Sequence, residues 1–194
     1  MDKVIALIEK NNGFITSSQI TKAGIQRRIL CQLVKSKQLY KVERGIYALP
    51  DTWEDEMYFL QYRFAKGVFS NETALYLHGL TDRTPIVYTM TFPHGYNTGN
   101  AKKIGITAKR VIHEIYNLGI IEMPSPCGNS IKVYNKERTL CDIVKGKNTC
   151  DISILNQAMK AYAASNDKNM NRLISYAEHL RVKPKILRYM EVLL

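Results

Sequence analysis

The feature that most constrains the fold is the cadence of the first fifty residues. Three short apolar-striped stretches are parted by Asn12-Gly13 and Ala23-Gly24, and an alternating segment then doubles back on Glu43-Arg44-Gly45. Val4, Ile5, Leu7 and Ile8 line one side of a helix expected over 2–11. Gly13 ends it, because glycine tolerates the left-handed conformation a helix stop requires. Phe14-Ile15 reads as a short apolar link, and Ser17 or Ser18 offers a hydroxyl to cap a second helix. A third helix is expected over 25–35. At 100° per residue, Ile25, Ile29, Leu30, Leu33 and Val34 fall on one arc and Arg27, Arg28, Cys31, Gln32 and Lys35 on the other. Leu39, Val42, Ile46 and Ala48 flank the Glu-Arg-Gly turn and read as a hairpin with a basic tip.

Three helices and a hairpin in that order make a winged helix-turn-helix. An arginine- and glutamine-bearing helix face can enter a DNA major groove, where arginine reads guanine and glutamine reads adenine. The candidate DNA-contacting residues are Ser18, Gln26, Arg27, Arg28, Gln32 and Lys35, with Lys41 and Arg44 on the wing. The charge distribution agrees. Residues 1–50 carry nine Lys/Arg against three Asp/Glu, residues 51–100 three against six, residues 101–150 nine against four, and the remainder seven against four. Two basic regions therefore flank an acidic one, within a total of +11. Basic surfaces concentrate polyanions, although a solvated basic face or a protein-interaction module carries the same signature.

With 45% apolar and 23% charged residues, disorder is excluded. A length of 194 residues allows one domain or two small ones. No apolar run approaches the ~18 residues of a spanning helix. The first stretch carries Asp2 and Glu9 and lacks a cleavage site, so no secretory signal is read and a cytoplasmic location is expected. Cys31, Cys127, Cys141 and Cys150 are scattered without a C-x-x-C pair, which suits free thiols rather than zinc.

Five runs of the sequence resemble a known family. The runs Gly13-Phe14-Ile15-Thr16-Ser17-Ser18-Gln19-Ile20, Gly24-Ile25-Gln26-Arg27-Arg28-Ile29-Leu30 and Leu39–Pro50, which ends Arg44-Gly45-Ile46-Tyr47-Ala48-Leu49-Pro50, resemble the N-terminal domain of AbiE-type abortive-infection antitoxins. Ser70-Asn71-Glu72-Thr73-Ala74-Leu75 with Gly79-Leu80 resembles the opening of that family's second domain, and Glu137-Arg138-Thr139-Leu140-Cys141-Asp142 resembles its E-R-T-L-x-D helix. The resemblance implies a bacterial antitoxin associated with phage defence. Such a protein represses its own operon at inverted repeats in double-stranded promoter DNA and opposes a nucleotidyltransferase-like toxin, with direct contact left open.

The expected architecture is α+β: a winged helix-turn-helix over 1–50, a linking helix over 51–69, and a mixed α/β C-terminal domain over 70–194 ending in helices. The linker helix is expected to start at Asp51 or Thr52 and to place Glu54, Asp55 and Glu56 at its positive end. Strands are expected over 86–92, 111–116, 120–123 and 130–134, and helices over 135–144, 151–164, 168–180 and 184–194. Lys102, Lys103, Lys109 and Arg110 form a second basic cluster, read either as a polyanion or antitoxin surface or as a solvated loop.

Catalytic signatures are missing. No Asp or Glu is followed two residues on by Lys, as a restriction-type metal site needs, and no phosphate loop, nucleophile elbow or H-E-x-x-H is present. No Gly-Ser pair suits a nucleotidyltransferase. The expectation is no enzyme, no metal and no cofactor. The alternatives are an interaction module without sequence-specific DNA binding, or a divergent nuclease. One winged domain per chain implies two chains on an inverted repeat, a monomer in solution pairing on DNA.

Overall fold

The computed structural model describes residues 2–146 and 150–193. The chain divides into two compact units, one of residues up to 63 together with 124–130, the other of 64–123 with 131 onward. The class is α+β.

In the first unit, α1 (Asp2–Lys10), β1 (Phe14–Thr16), α2 (Ser17–Lys22), α3 (Arg28–Lys35), β2 (Tyr40–Glu43), β3 (Ile46–Ala48) and α4 (Glu56–Arg63) follow in order. Phe14-Ile15 is thus a strand, not merely a link. It pairs antiparallel with β3, Ile15 opposite Tyr47, and β3 pairs with β2 on its other side. Asn12 and Gly13 both take positive φ, 52° and 83°, and so turn the chain from α1 into the sheet. The cap of α2 is Thr16, one residue before the expected serines: its hydroxyl accepts from Gln19 N while the Gln19 side chain accepts from Thr16 N. That reciprocal box satisfies two of the helix's orphan donors.

Val4, Ile8, Ile15, Ile20, Leu30, Leu33 and Leu39 form one buried cluster. Phe14, Ile46, Ala48 and Phe59 form a second, in which the Phe14 and Phe59 rings meet edge-on at 5.5 Å. Helix α4 starts at Glu56 rather than at Thr52. Asp55 caps it, accepting from Tyr58 N at 3.0 Å. Asp55 is also only 2% exposed and accepts from the Ser125 hydroxyl and from Asn129 Nδ2 at 2.8 Å. From sequence it reads as a first-turn acid at the helix's positive end; in the fold it is the buried anchor of the 124–130 turn.

The second unit holds β4 (Val68–Phe69), α5 (Asn71–Leu77), β5 (Thr89–Pro93), α6 (Gly99–Lys103), β6 (Thr107–Val111), α7 (His113–Asn117), β7 (Ile120–Pro124), β8 (Ser130–Tyr134), α8 (Lys136–Lys145), α9 (Ile152–Ala164), α10 (Met170–His179) and α11 (Lys183–Leu193). Its strands lie in the order β6-β5-β4-β8-β7, with β4 antiparallel to β5 and parallel to β8, and β5 parallel to β6. Helices α8 to α11 enclose Leu140, Ile143, Met159, Tyr162, Leu173 and Ile186 with Leu75 of α5.

Two expectations fail here. Residues 111–116 are not a strand: the strand is β6, and α7 follows. Ile112, Ile115 and Tyr116 repeat at helical spacing as well as alternating, and Tyr116 Oη donates to Lys66 O at 2.7 Å. The strand expected from residue 86 begins at Thr89, leaving Ile86 fully exposed. The last residue of the expected helix 184–194, Leu194, lies outside the described residues.

Candidate nucleic-acid interface

Helix α3 begins at Arg28, three residues later than its apolar pattern suggests. Gly24 takes φ +72°, and Ile29 N and Leu30 N bond back to Gln26 O and Arg27 O, so the approach to the helix is a tight turn rather than regular helix. Leu30 and Leu33 point inward. Arg28, Gln32 and Lys35, at i, i+4 and i+7, form an exposed outer stripe. The helix contains no carboxylate.

Arg27 stands just before α3, exposed. Its Nε donates to Thr21 Oγ1 at 2.8 Å, and that hydroxyl donates in turn to Ser17 O at 2.9 Å. Helix α2 thus holds the stem of the guanidinium. Ser18 and Gln26 are also exposed.

The β2–β3 turn is tied to the same region. Ser17 N, at the start of α2, donates to Gly45 O at 2.9 Å. Gly45 sits at φ +87°, and a Cβ there would lie 2.9 Å from Tyr62 Oη. Glycine is therefore required both by backbone conformation and by space. Lys41 and Arg44 are exposed. Glu43 faces Arg63 at 3.8 Å, a partly exposed surface pair of small energetic weight.

The basic cluster of the second unit is divided. Lys102 and Lys103 end α6, exposed, and Arg110 is exposed on the edge strand β6. Charged side chains on an edge strand also discourage pairing with other chains. Lys109 instead is half-buried, and its Nζ donates to Asn71 Oδ1 at 2.9 Å. Burial lowers its pKa.

The E-R-T-L-x-D segment forms an internal brace. Arg138 is wholly buried; its Nε donates to Asp142 Oδ2 at 3.0 Å and its Nη1 to Leu118 O at 2.9 Å and to Ile115 O, with the guanidinium 4.3 Å from the Tyr134 ring centroid. Glu137, also buried, accepts from Tyr162 Oη at 3.1 Å. Burial raises the pKa of Asp142 and pushes the Cys141 thiol up to about 12. His78 Nε2 lies 2.7 Å from Tyr134 O, and burial lowers its pKa. Among the described residues no three His, Cys, Asp or Glu side chains cluster as a metal site would need. Nor is any helix among them long and apolar enough to cross a membrane.

Residues 2–50 match the family model of AbiEi antitoxin transcriptional regulators. Over that span the amino-terminal module is similar to AbiEi antitoxin regulators. The match spans α1 to β3, the elements that carry the exposed stripe and the hairpin. No curated protein sequence matched the chain. Among solved structures, the crystal structure of the RV2827C protein from Mycobacterium tuberculosis aligns with a TM-score of 0.57 at 14% identity, covering 99% of this chain and 80% of that one. At that identity the likeness is one of fold. The matched model is that of a family of transcriptional regulators.

Proposed function

We propose that the chain is an antitoxin-type repressor that binds inverted repeats in promoter DNA. In this reading α3 enters the major groove, and the β2–β3 hairpin is the wing of a winged helix-turn-helix. The observation that carries it is the carboxylate-free stripe Arg28–Gln32–Lys35, opposite Leu30 and Leu33 and beside Arg27 and the Lys41–Arg44 hairpin. Arg27 and Arg28 suit base edges, with Gln32 as a second reader. Lys35, Lys41 and Arg44 suit phosphates, and Ser18 and Gln26 suit the flanking backbone.

By the same reading, Lys102, Lys103 and Arg110 offer a second polyanion-facing surface. The second unit would oppose a nucleotidyltransferase-like toxin encoded beside it, directly or through repression. Neither role requires a metal, a cofactor or turnover. Two chains would pair on the repeat.

The test is fluorescence anisotropy of the full chain on its promoter duplex and on a scrambled duplex. Arg27→Ala/Arg28→Ala should abolish discrimination between the two, since each arginine–base pairing removed is worth about 1–3 kcal/mol. Lys41→Ala/Arg44→Ala should weaken both alike and lower the salt slope by about one for each phosphate no longer neutralised. An Arg27/Arg28 variant that still discriminates like the parent would refute the assigned face.

A further inference from the structure

Two adjoining concavities in the second unit share Asn71 and Lys109. The outer cleft, about 490 Å³, is bordered by Arg83, Pro85, Ile86 and Val87. The inner recess, about 160 Å³, is bordered by Thr91, Arg138, Asp142 and Lys145. Lys109 and Thr91 are register partners on β6 and β5, so their side chains share one face of the sheet. Asn71 stands above them at φ +53°, only 3% exposed; its Nδ2 donates to Ser70 Oγ at 3.2 Å and its Oδ1 accepts from Lys109. A buried non-glycine residue in the left-handed region, fastened at both ends of its carboxamide, points to a function for that geometry.

We propose that this cleft is a binding site for a nucleoside phosphate, with the phosphate on Lys109 and the base against Pro85, Ile86 and Val87. Asn71 takes one of the three N–H groups of the Lys109 ammonium, and no second hydrogen-bond partner for Nζ is present among the described residues. Two donors therefore remain for phosphate oxygens, in a half-buried setting where a charge-assisted hydrogen bond is stronger than in water. Lys145 and Arg83 add positive charge at the inner and outer ends. Of the carboxylates nearby, Asp142 is engaged by Arg138, Asp151 lies 3.7 Å from Arg83, and Glu72 is left at the side of the cleft.

Ile86 is fully exposed and Val87 nearly half so, which gives a planar ring an apolar surface to cover. Thr81, Thr89 and Thr107 also line the outer cleft. The combined space falls within the range of about 300–1,000 Å³ that small-ligand sites occupy. The site is independent of the promoter-binding reading, and either can fail without the other.

The test is calorimetric titration of the full chain with AMP, GMP, CMP, UMP and inorganic phosphate. At least one nucleotide should bind more tightly than phosphate. Lys109→Met should weaken it by about tenfold or more, as expected when a charge-assisted hydrogen bond is removed. Ile86→Ala, at a surface position where folding is not at stake, should weaken the nucleotide by about threefold and leave phosphate unchanged. The Lys160→Ala variant, on the exposed side of α9 away from the cleft, should bind like the parent. The proposal is overturned by absence of binding up to about 10 mM, by phosphate binding as tightly as every nucleotide, by equal affinity in the Lys109 and Ile86 variants, or by loss of binding in the Lys160 variant.

Discussion

Replacing Arg138 by methionine keeps most of the side chain's length and removes its charge and donors. Asp142 then loses its partner inside the second unit, and the carbonyls of Leu118 and Ile115 lose a donor. Breaking a buried ion pair from one side costs about 3–5 kcal/mol. Each orphaned carbonyl adds about 1 kcal/mol or more, because it gives up a bond that water made in the unfolded chain. At roughly 2–4 °C per kcal/mol for a chain of this size, the transition of the second unit should fall by about 10 °C or more.

The loss should itself depend on pH. Burial already raises the Asp142 pKa, and removing the guanidinium raises it further. An acid with a raised folded-state pKa favours the folded state below its unfolded-state pKa and loses that contribution as pH rises through the folded value. The variant should therefore be less damaged at pH 5 than at pH 8. Urea titration followed by circular dichroism at both pH values measures this. A double variant, Arg138→Met/Asp142→Leu, should be more stable than the sum of the single losses implies, although the two carbonyls stay unpaired. A loss below about 1 kcal/mol for Arg138→Met, or strict additivity in the double variant, would refute the account of α8 as an internal brace.

The first unit has its own weak points. Asp55→Ala should destabilise it by about 2–4 kcal/mol in urea titration, since it removes the cap of α4 and leaves Ser125 and Asn129 without their acceptor. Gly45→Ala should cost about 1–2 kcal/mol for its positive φ and its crowding against Tyr62, and by the proposed reading should weaken promoter binding in the same anisotropy assay that reads Lys41→Ala/Arg44→Ala. Exposed Cys31 should react with iodoacetamide in the native protein, whereas Cys141, buried and with its thiol held near 12, should be alkylated only as the second unit unfolds, as read by mass spectrometry against urea.

Much of the first unit was legible in the sequence because its signals are local. Asn12-Gly13 needs left-handed backbone, and both residues have it. The apolar stripe of α3 separated Leu30 and Leu33 from Arg28, Gln32 and Lys35 with no tertiary information. What escaped was long-range. Nothing near Asp55 in sequence foretells partners some seventy residues away at Ser125 and Asn129, so it read as an ordinary helix-start acid. Thr107–Val111 carries Lys109 and Arg110 where a strand pattern would want apolar residues. An edge strand tolerates that, and so it passed for a basic loop. Lys109 was grouped with Lys102 and Lys103 by proximity along the chain, whereas strand alternation sends it to the opposite face from Arg110. The E-R-T-L-x-D segment was visible as a motif, but its brace could not be read without knowing that the carbonyls of Ile115 and Leu118 end beside it.

The turn at 124–130 belongs to the first unit although the chain reaches it only after most of the sheet of the second has been laid down. A truncated fragment ending at residue 63 would thus present Asp55 to water with its hydroxyl and carboxamide companions missing, and Asn12 without the Gly128 carbonyl to which its Nδ2 donates at 3.0 Å. During synthesis those contacts of the amino-terminal module can form only after residue 130 has left the ribosome.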